Sequence, residues 1–144
     1  MTRSFGLDVG SKTVGVVSDA LGITAQPVTT VRRSNLRADL AQLRRLAEEH
    51  EVGHAVVGLP LNMDGSEGPS AAEARKVGEA VASALKIPVE YWDERLTTVA
   101  AGRMLIEADV SRARRRQVVD QVAAALILQG WLDARRPQAT GEDG

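Results

Sequence analysis

Through residues 3–32 apolar positions alternate with small or polar ones, and from residue 36 they recur at three- and four-residue steps. The first regime predicts strands and the second helices. "FGLDVG" sends Phe5, Leu7 and Val9 to one face and Gly6, Asp8 and Gly10 to the other. "TVGVVSD" reads as a second strand, and "GITAQPVTTVRR" as a third with Pro27 marking an edge or irregular position. Short spacings and the Asp19–Gly22 turn favour antiparallel hairpins. Leu36, Leu40, Leu43 and Ala47 mark one face of a helix ending near His50.

"HAVVGLPL" is a short buried strand after that helix, which suits a crossover onto a parallel neighbour. "NMDGSEGPS" is a polar loop, and "SAAEARKVGEAVASALK" a helix with Ser70 as its N-cap. "PVEYW" is another buried strand, running directly into "DER". Thr97 or Thr98 caps a helix through Asp109, the basic stretch 110–116 is a mobile connector, and "QVVDQVAAALILQGWLDA" is the last helix. The order βββ-α-β-α-β-α implies an α/β fold with a mixed five-stranded sheet flanked by helices. One domain is expected over residues 1–136, with a flexible tail over 137–144.

Composition narrows the classes. The chain has no cysteine, which excludes disulfides, Fe–S clusters and thiolate zinc sites. No apolar run is long enough to span a bilayer and the N-terminus has no signal-like core, so a cytoplasmic protein without a membrane partner is expected. A net charge of −1 does not mark a protein that coats itself with nucleic acid. The arginines are nonetheless clustered, at Arg32, Arg33, Arg37, Arg44 and Arg45 and again in "SRARRRQ". Such runs are more often solvated faces than binding patches, so they count only as support.

Three acids fall where a surface charge should not. Asp8 lies inside a strand, and the glycines around it let a ligand or another backbone approach closely. Glu94, with Asp93 beside it, follows the C-terminal edge of a strand, where α/β sheets bind ligands. Asp120 falls in the first turn of the last helix, on a stripe with Ala123, Ala124, Ile127 and Trp131. Each has a bland explanation: a turn cap for Asp8, an arginine partner such as Arg95 for Glu94, a helix-dipole role for Asp120. Three together on inward positions favour a shared divalent cation, because carboxylates are hard oxygen ligands suited to Mg²⁺ or Mn²⁺. Two such ions about 3.5–4 Å apart can drive in-line attack on a phosphodiester.

Rival readings of the first motif are weaker. "GLDVGSKT" is one glycine short of a P-loop and continues as strand where a P-loop opens a helix. The phosphate-binding hairpin of the actin, Hsp70 and sugar-kinase superfamily also begins D-x-G, but that fold needs two such domains. His50 and His54 have no partner at metal-ligand spacing and read as structural; Trp92 and Trp131 read as core or interface residues.

"LDVGSKTVGVVSD", "VGLPLNMDGSEG", "DERLTT" and "VDQVAAALILQGWLD", in that order, closely resemble the YqgF family of RNase H-like nucleases, over about residues 5–134. The family is also described as Holliday-junction-resolvase-like and is linked to maturation of the 5′ end of precursor small-subunit ribosomal RNA. The resemblance implies an RNase H-like fold and divalent-metal phosphodiester hydrolysis, and Asp8, Glu94 and Asp120 match the family's catalytic acids. Thr13 departs from it, standing where the family commonly has a basic residue. Lys12, Arg95 and Arg112, Arg114, Arg115 and Arg116 are then expected to hold flanking phosphates. Asn62, Gly65, Ser66 and Gly68 either present donors to the sugar-phosphate chain or only permit a tight turn. The expected protein is a two-metal nuclease, monomer or homodimer, acting on RNA ahead of DNA. The alternatives are a DNA junction resolvase and a non-catalytic RNA-binding assembly factor.

Overall fold

The computed structural model describes residues 3–20, 22–96 and 112–135, without the side chains of Ala20 and of residues 112–120. Five strands form one sheet in the order β3-β2-β1-β4-β5. β1 (Arg3–Val9), β2 (Thr13–Ala20) and β3 (Thr24–Arg32) are an antiparallel meander, as their short turns require. β4 (Val52–Leu59) and β5 (Val89–Asp93) are added parallel to β1, after helices α1 (Leu36–Glu49) and α2 (Pro69–Leu85). The last helix, α3 (Arg112–Arg135), lies on the opposite face. This is the expected mixed five-stranded α/β sheet.

Strand alternation builds two cores. Phe5, Leu7, Val14, Val16, Val57 and Leu59 meet Leu43 and Ala47 of α1 and Ala71, Ala74, Val77 and Val81 of α2. Val17 and Val56 meet Ala123, Ala124, Ile127, Leu128 and Leu132 of α3. Truncating a fully buried leucine such as Leu128 would cost about 2–5 kcal/mol. Gly6 lets α3 come this close. A Cβ there would stand 2.6 Å from Leu128 Cβ and 3.0 Å from the Ala124 carbonyl oxygen.

Local chemistry ends the elements. The β2–β3 turn is closed by Asp19, whose buried carboxylate accepts from Ser4 N at 2.5 Å and Gly22 N at 2.8 Å, with Gly22 at φ 71°. Pro27 falls on the edge strand β3, where the register against β2 slips between Val16 and Val17. Asn35 caps α1 by accepting from Ala38 N at 2.9 Å, and the buried Asp39 accepts from Ser34 N at 3.0 Å.

Three expectations are corrected. Gly68, not Ser70, is the N-cap of α2, because Pro69 already occupies the first helical turn. β5 is the other edge of the sheet and only half-buried, although its composition reads as an interior strand. The stretch from Arg112 is helix rather than connector, since arginine and alanine are good helix formers and no glycine or proline interrupts them. The helix through Asp109 and the tail over 137–144 lie outside the described residues. Among the described residues no helix is long and apolar enough to cross a membrane.

Candidate active site

One row of residues crosses the sheet on the α3 face. Asp8 pairs with Gly15 on β2, and Gly15 pairs with Thr30 on β3. One step beyond the Leu7–Val57 pair, Asp8 stands beside Gly58 on β4, which pairs with Trp92 on β5. Asp8 therefore has a glycine on each neighbouring strand, about 4.8 Å away. It is only 7% exposed. No Cβ from either neighbouring strand stands beside it.

Glu94 opens a short 3-10 turn, Glu94–Leu96, at the end of β5. Its carboxylate reaches back over β4, with Oε2 2.8 Å from where a Cβ on Gly58 would stand. The Glu94 carboxylate thus lies over Gly58, the β4 neighbour of Asp8, although the two acids are 86 positions apart in the chain.

The helix α3 crosses this row at Gln121, whose Nε2 donates to Thr30 Oγ1 at 3.1 Å. Asp120 is the residue before it, and its side chain lies outside the described residues. Its backbone is nonetheless informative. Asp120 is in the third turn of α3, not the first, so a helix-dipole role is withdrawn, because that effect fades within one turn.

The remaining predicted residues divide. Lys12 is exposed in the β1–β2 turn, where Gly10 N donates to Thr13 O at 2.8 Å. Asn62 and Ser66 are exposed but bonded to each other: Asn62 Nδ2 donates to Ser66 Oγ at 2.9 Å, and Ser66 Oγ to Asp64 at 2.6 Å. With Gly65 at φ 88° and its N–H on the Asn62 carbonyl at 2.9 Å, the tight-turn reading accounts for these groups. Those Ser66 bonds hold the Asp64 carboxyl below its ordinary range. Arg95 binds Asp93, with Nη2 2.8 Å from Oδ2, so Asp93 takes the partner expected for Glu94. That interaction lowers the Asp93 carboxyl as well. Arg112, Arg114, Arg115 and Arg116 all lie in the first five residues of α3, with their side chains outside the described residues.

Sequence reasoning passed over Gly15 and Gly58, whose signal was a glycine inside an apolar strand. It also counted Arg33 in a solvated run. Arg33 instead donates to the Gly10 carbonyl at 2.7 Å and to Glu73 at 2.6 Å, fastening the β1–β2 turn to α2. At the far end of the sheet His54 is structural as expected, stacked on Trp131 at 4.7 Å and bonded to Glu90 at 2.8 Å.

The donor set suits a hard divalent cation: oxygen ligands only, with Gly58 admitting the Glu94 carboxylate to the strand beside Asp8. Among the described residues alone no group of three ligating side chains gathers. Residues 2–134 match the family described as "RuvX: Holliday junction resolvase". The chain belongs to this family. A relative in Myxococcus xanthus, named "Putative pre-16S rRNA nuclease", is 66% identical over 139 residues, covering 96% of this chain and 92% of that one. A relative of the same name in Heliobacterium modesticaldum is 57% identical over 141 residues, covering 97% and 95%. Among solved structures, Thermus thermophilus RuvC in complex with a Holliday junction substrate superposes with TM-score 0.60 at 15% identity, covering 94% and 96%. That likeness carries the RNase H-like fold from RuvC to this RuvX-family chain, and the fold alone.

Proposed function

We propose that the chain is a divalent-metal-dependent nuclease that processes the 5′ end of precursor 16S ribosomal RNA in the cytoplasm. The observation that carries this reading is Asp8, buried between Gly15 and Gly58, with the Glu94 carboxylate lying over Gly58. The names of the Myxococcus and Heliobacterium relatives supply the substrate. Asp8, Glu94 and Asp120 would hold Mg²⁺ or Mn²⁺, as one ion or a pair. When bound, such ions supply an activated water and offset charge that develops on the phosphoryl oxygens.

The rest is the work of the chain. Burial keeps Asp8 fixed and weakly screened, so its charge acts strongly at short range. Glycine at position 58 lets the Glu94 carboxylate and Ile127 of α3 close in over the strand beside Asp8. Lys12 at the turn and the arginines at the start of α3 stand at the same end of the sheet as candidate contacts for flanking phosphates. Such contacts read no sequence by themselves. The choice of RNA therefore rests on groups that meet the 2′-hydroxyl.

A second reading, a resolvase acting on DNA junctions, is favoured by the family's own description. Purified protein incubated with matched RNA, DNA and four-way-junction substrates, with Mg²⁺ or Mn²⁺, decides between them. Cleavage of precursor RNA by a monomer supports the proposal. Symmetric junction cleavage by a dimer supports the resolvase. RNA binding without cleavage under any metal points to an assembly factor instead.

A further inference from the structure

Arg95 touches two segments with one guanidinium. Its Nη2 and Nε lie 2.8 and 3.1 Å from Asp93 Oδ2, and its own N–H donates to Asp93 Oδ1 at 2.9 Å. Its Nη1 donates to the carbonyls of Met63 at 3.2 Å and Asn62 at 3.5 Å. The same group lies against Gly65, whose Cβ position is 3.6 Å from Nη1. Glu94 sits between the two residues of this brace, in the turn that Asp93 caps.

We propose that Arg95 is a positioning residue, which locks the loop over 60–68 to the end of β5 and thereby holds the turn that presents Glu94. The inference rests on the nuclease reading for its kinetic consequence, though not for the brace itself. A planar fork is what this geometry needs. Two donors go to a carboxylate and another to carbonyls on a different segment, which an ammonium on a flexible stem cannot reproduce. If Arg95 were instead a phosphate ligand, lysine would lose the bidentate fork and raise substrate Kd, whereas Asp93→Asn, which frees the guanidinium, would leave binding intact or tighten it.

Arg95→Lys and Asp93→Asn separate the two. Both break the brace; the first keeps the positive charge and the second removes a negative one, so neither should weaken attraction for phosphate. The expected result is kcat lower by about 10- to 100-fold in both variants, with substrate Kd and its salt dependence unchanged. The double variant should be no worse than either single one, because both act through the same ion pair. Amide hydrogen exchange at Asn62, Gly65 and Ser66 should also quicken in both, without metal or substrate. Unchanged exchange, or a raised Kd with kcat intact, would overturn the proposal. The exchange measurement needs no activity, so a wild type that cleaves nothing counts against the nuclease reading and leaves the brace standing.

Discussion

Glu94 lays its carboxylate in the space that Gly58 leaves open, with Oε2 2.8 Å from the missing Cβ position. The same position is 2.3 Å from Ile127 Cδ1. Gly58 therefore admits two things at once, an acid from β5 and the close approach of α3. Gly58→Ala must displace one or both.

The expected outcome is a loss of about 1–3 kcal/mol of stability from overpacking, together with loss of cleavage. Adding Ile127→Val removes the Cδ1 atom that clashes most severely. The double variant should recover much of the thermal stability while staying inactive, since Glu94 is still pushed from its place. Recovery of activity along with stability would show that Gly58 serves packing alone.

Asp8 yields a sharper test. Asp8→Asn keeps the size of the side chain but removes its charge and turns one acceptor oxygen into a donor, at a buried site outside both apolar cores. Its Tm without metal should equal or exceed that of the wild type, and cleavage should vanish. Metal at ten times its Kd should stabilise the wild type by about 1.4 kcal/mol, and should stabilise the variant far less. Thermal melts with and without Mn²⁺ check both halves. Full activity in the variant would sink the metal role of Asp8.

Much of this was legible from residues alone, because strand alternation and helical periodicity report burial directly. Asp8 stood out as the one charge on a glycine-lined strand face, and the β-meander followed from turn residues. What was not legible were interactions between distant segments. Nothing in "DER" says that Asp93 rather than Glu94 takes Arg95, because the partner is chosen by the bend after β5. Arg33 looked like one of a solvated run until α2 brought Glu73 to it. The start of the last helix was misplaced because a charge run was read as a connector, against its own helix propensity.

Acid should loosen the scaffold in a definite window. Arg75 holds the Glu67 carboxyl below its ordinary value of 4.5, and Arg33 does the same for Glu73. Burial pushes the Glu90 carboxyl up, but hydrogen bonds from Trp131 and His54 outweigh it and the net shift is downward. A depressed folded value means that the stabilisation is fully present above the unfolded pKa and is lost as pH falls through the folded one. Stability should thus be flat down to about pH 5 and decline below about pH 4.5, modestly because these pairs are partly exposed. Glu73→Gln should lower Tm at pH 7 and shrink the drop between pH 7 and pH 3.5. An unchanged drop would mean that other carboxylates govern the acid limb.

The start of α3 sets stability against binding, and this makes it testable without a structure of the complex. Arg112, Arg114, Arg115 and Arg116 crowd the end of the helix that carries the positive pole of its dipole, with no acidic residue in the first turn. That arrangement is locally unfavourable, by about 0.3–1 kcal/mol at low salt for each charge in the first turn. Replacing all four by alanine removes this repulsion and keeps good helix formers, so Tm should hold or rise. If the arginines meet the nucleic-acid backbone, binding must weaken for every sequence alike. The salt slope should also flatten, by about 0.7 to 0.9 for each phosphate that no longer meets an arginine. Opposite signs for folding and binding in one variant could not come from a damaged fold. Unchanged affinity and salt slope would reduce the cluster to a solvated face, leaving exposed cations such as Lys12 to test next at that end of the sheet.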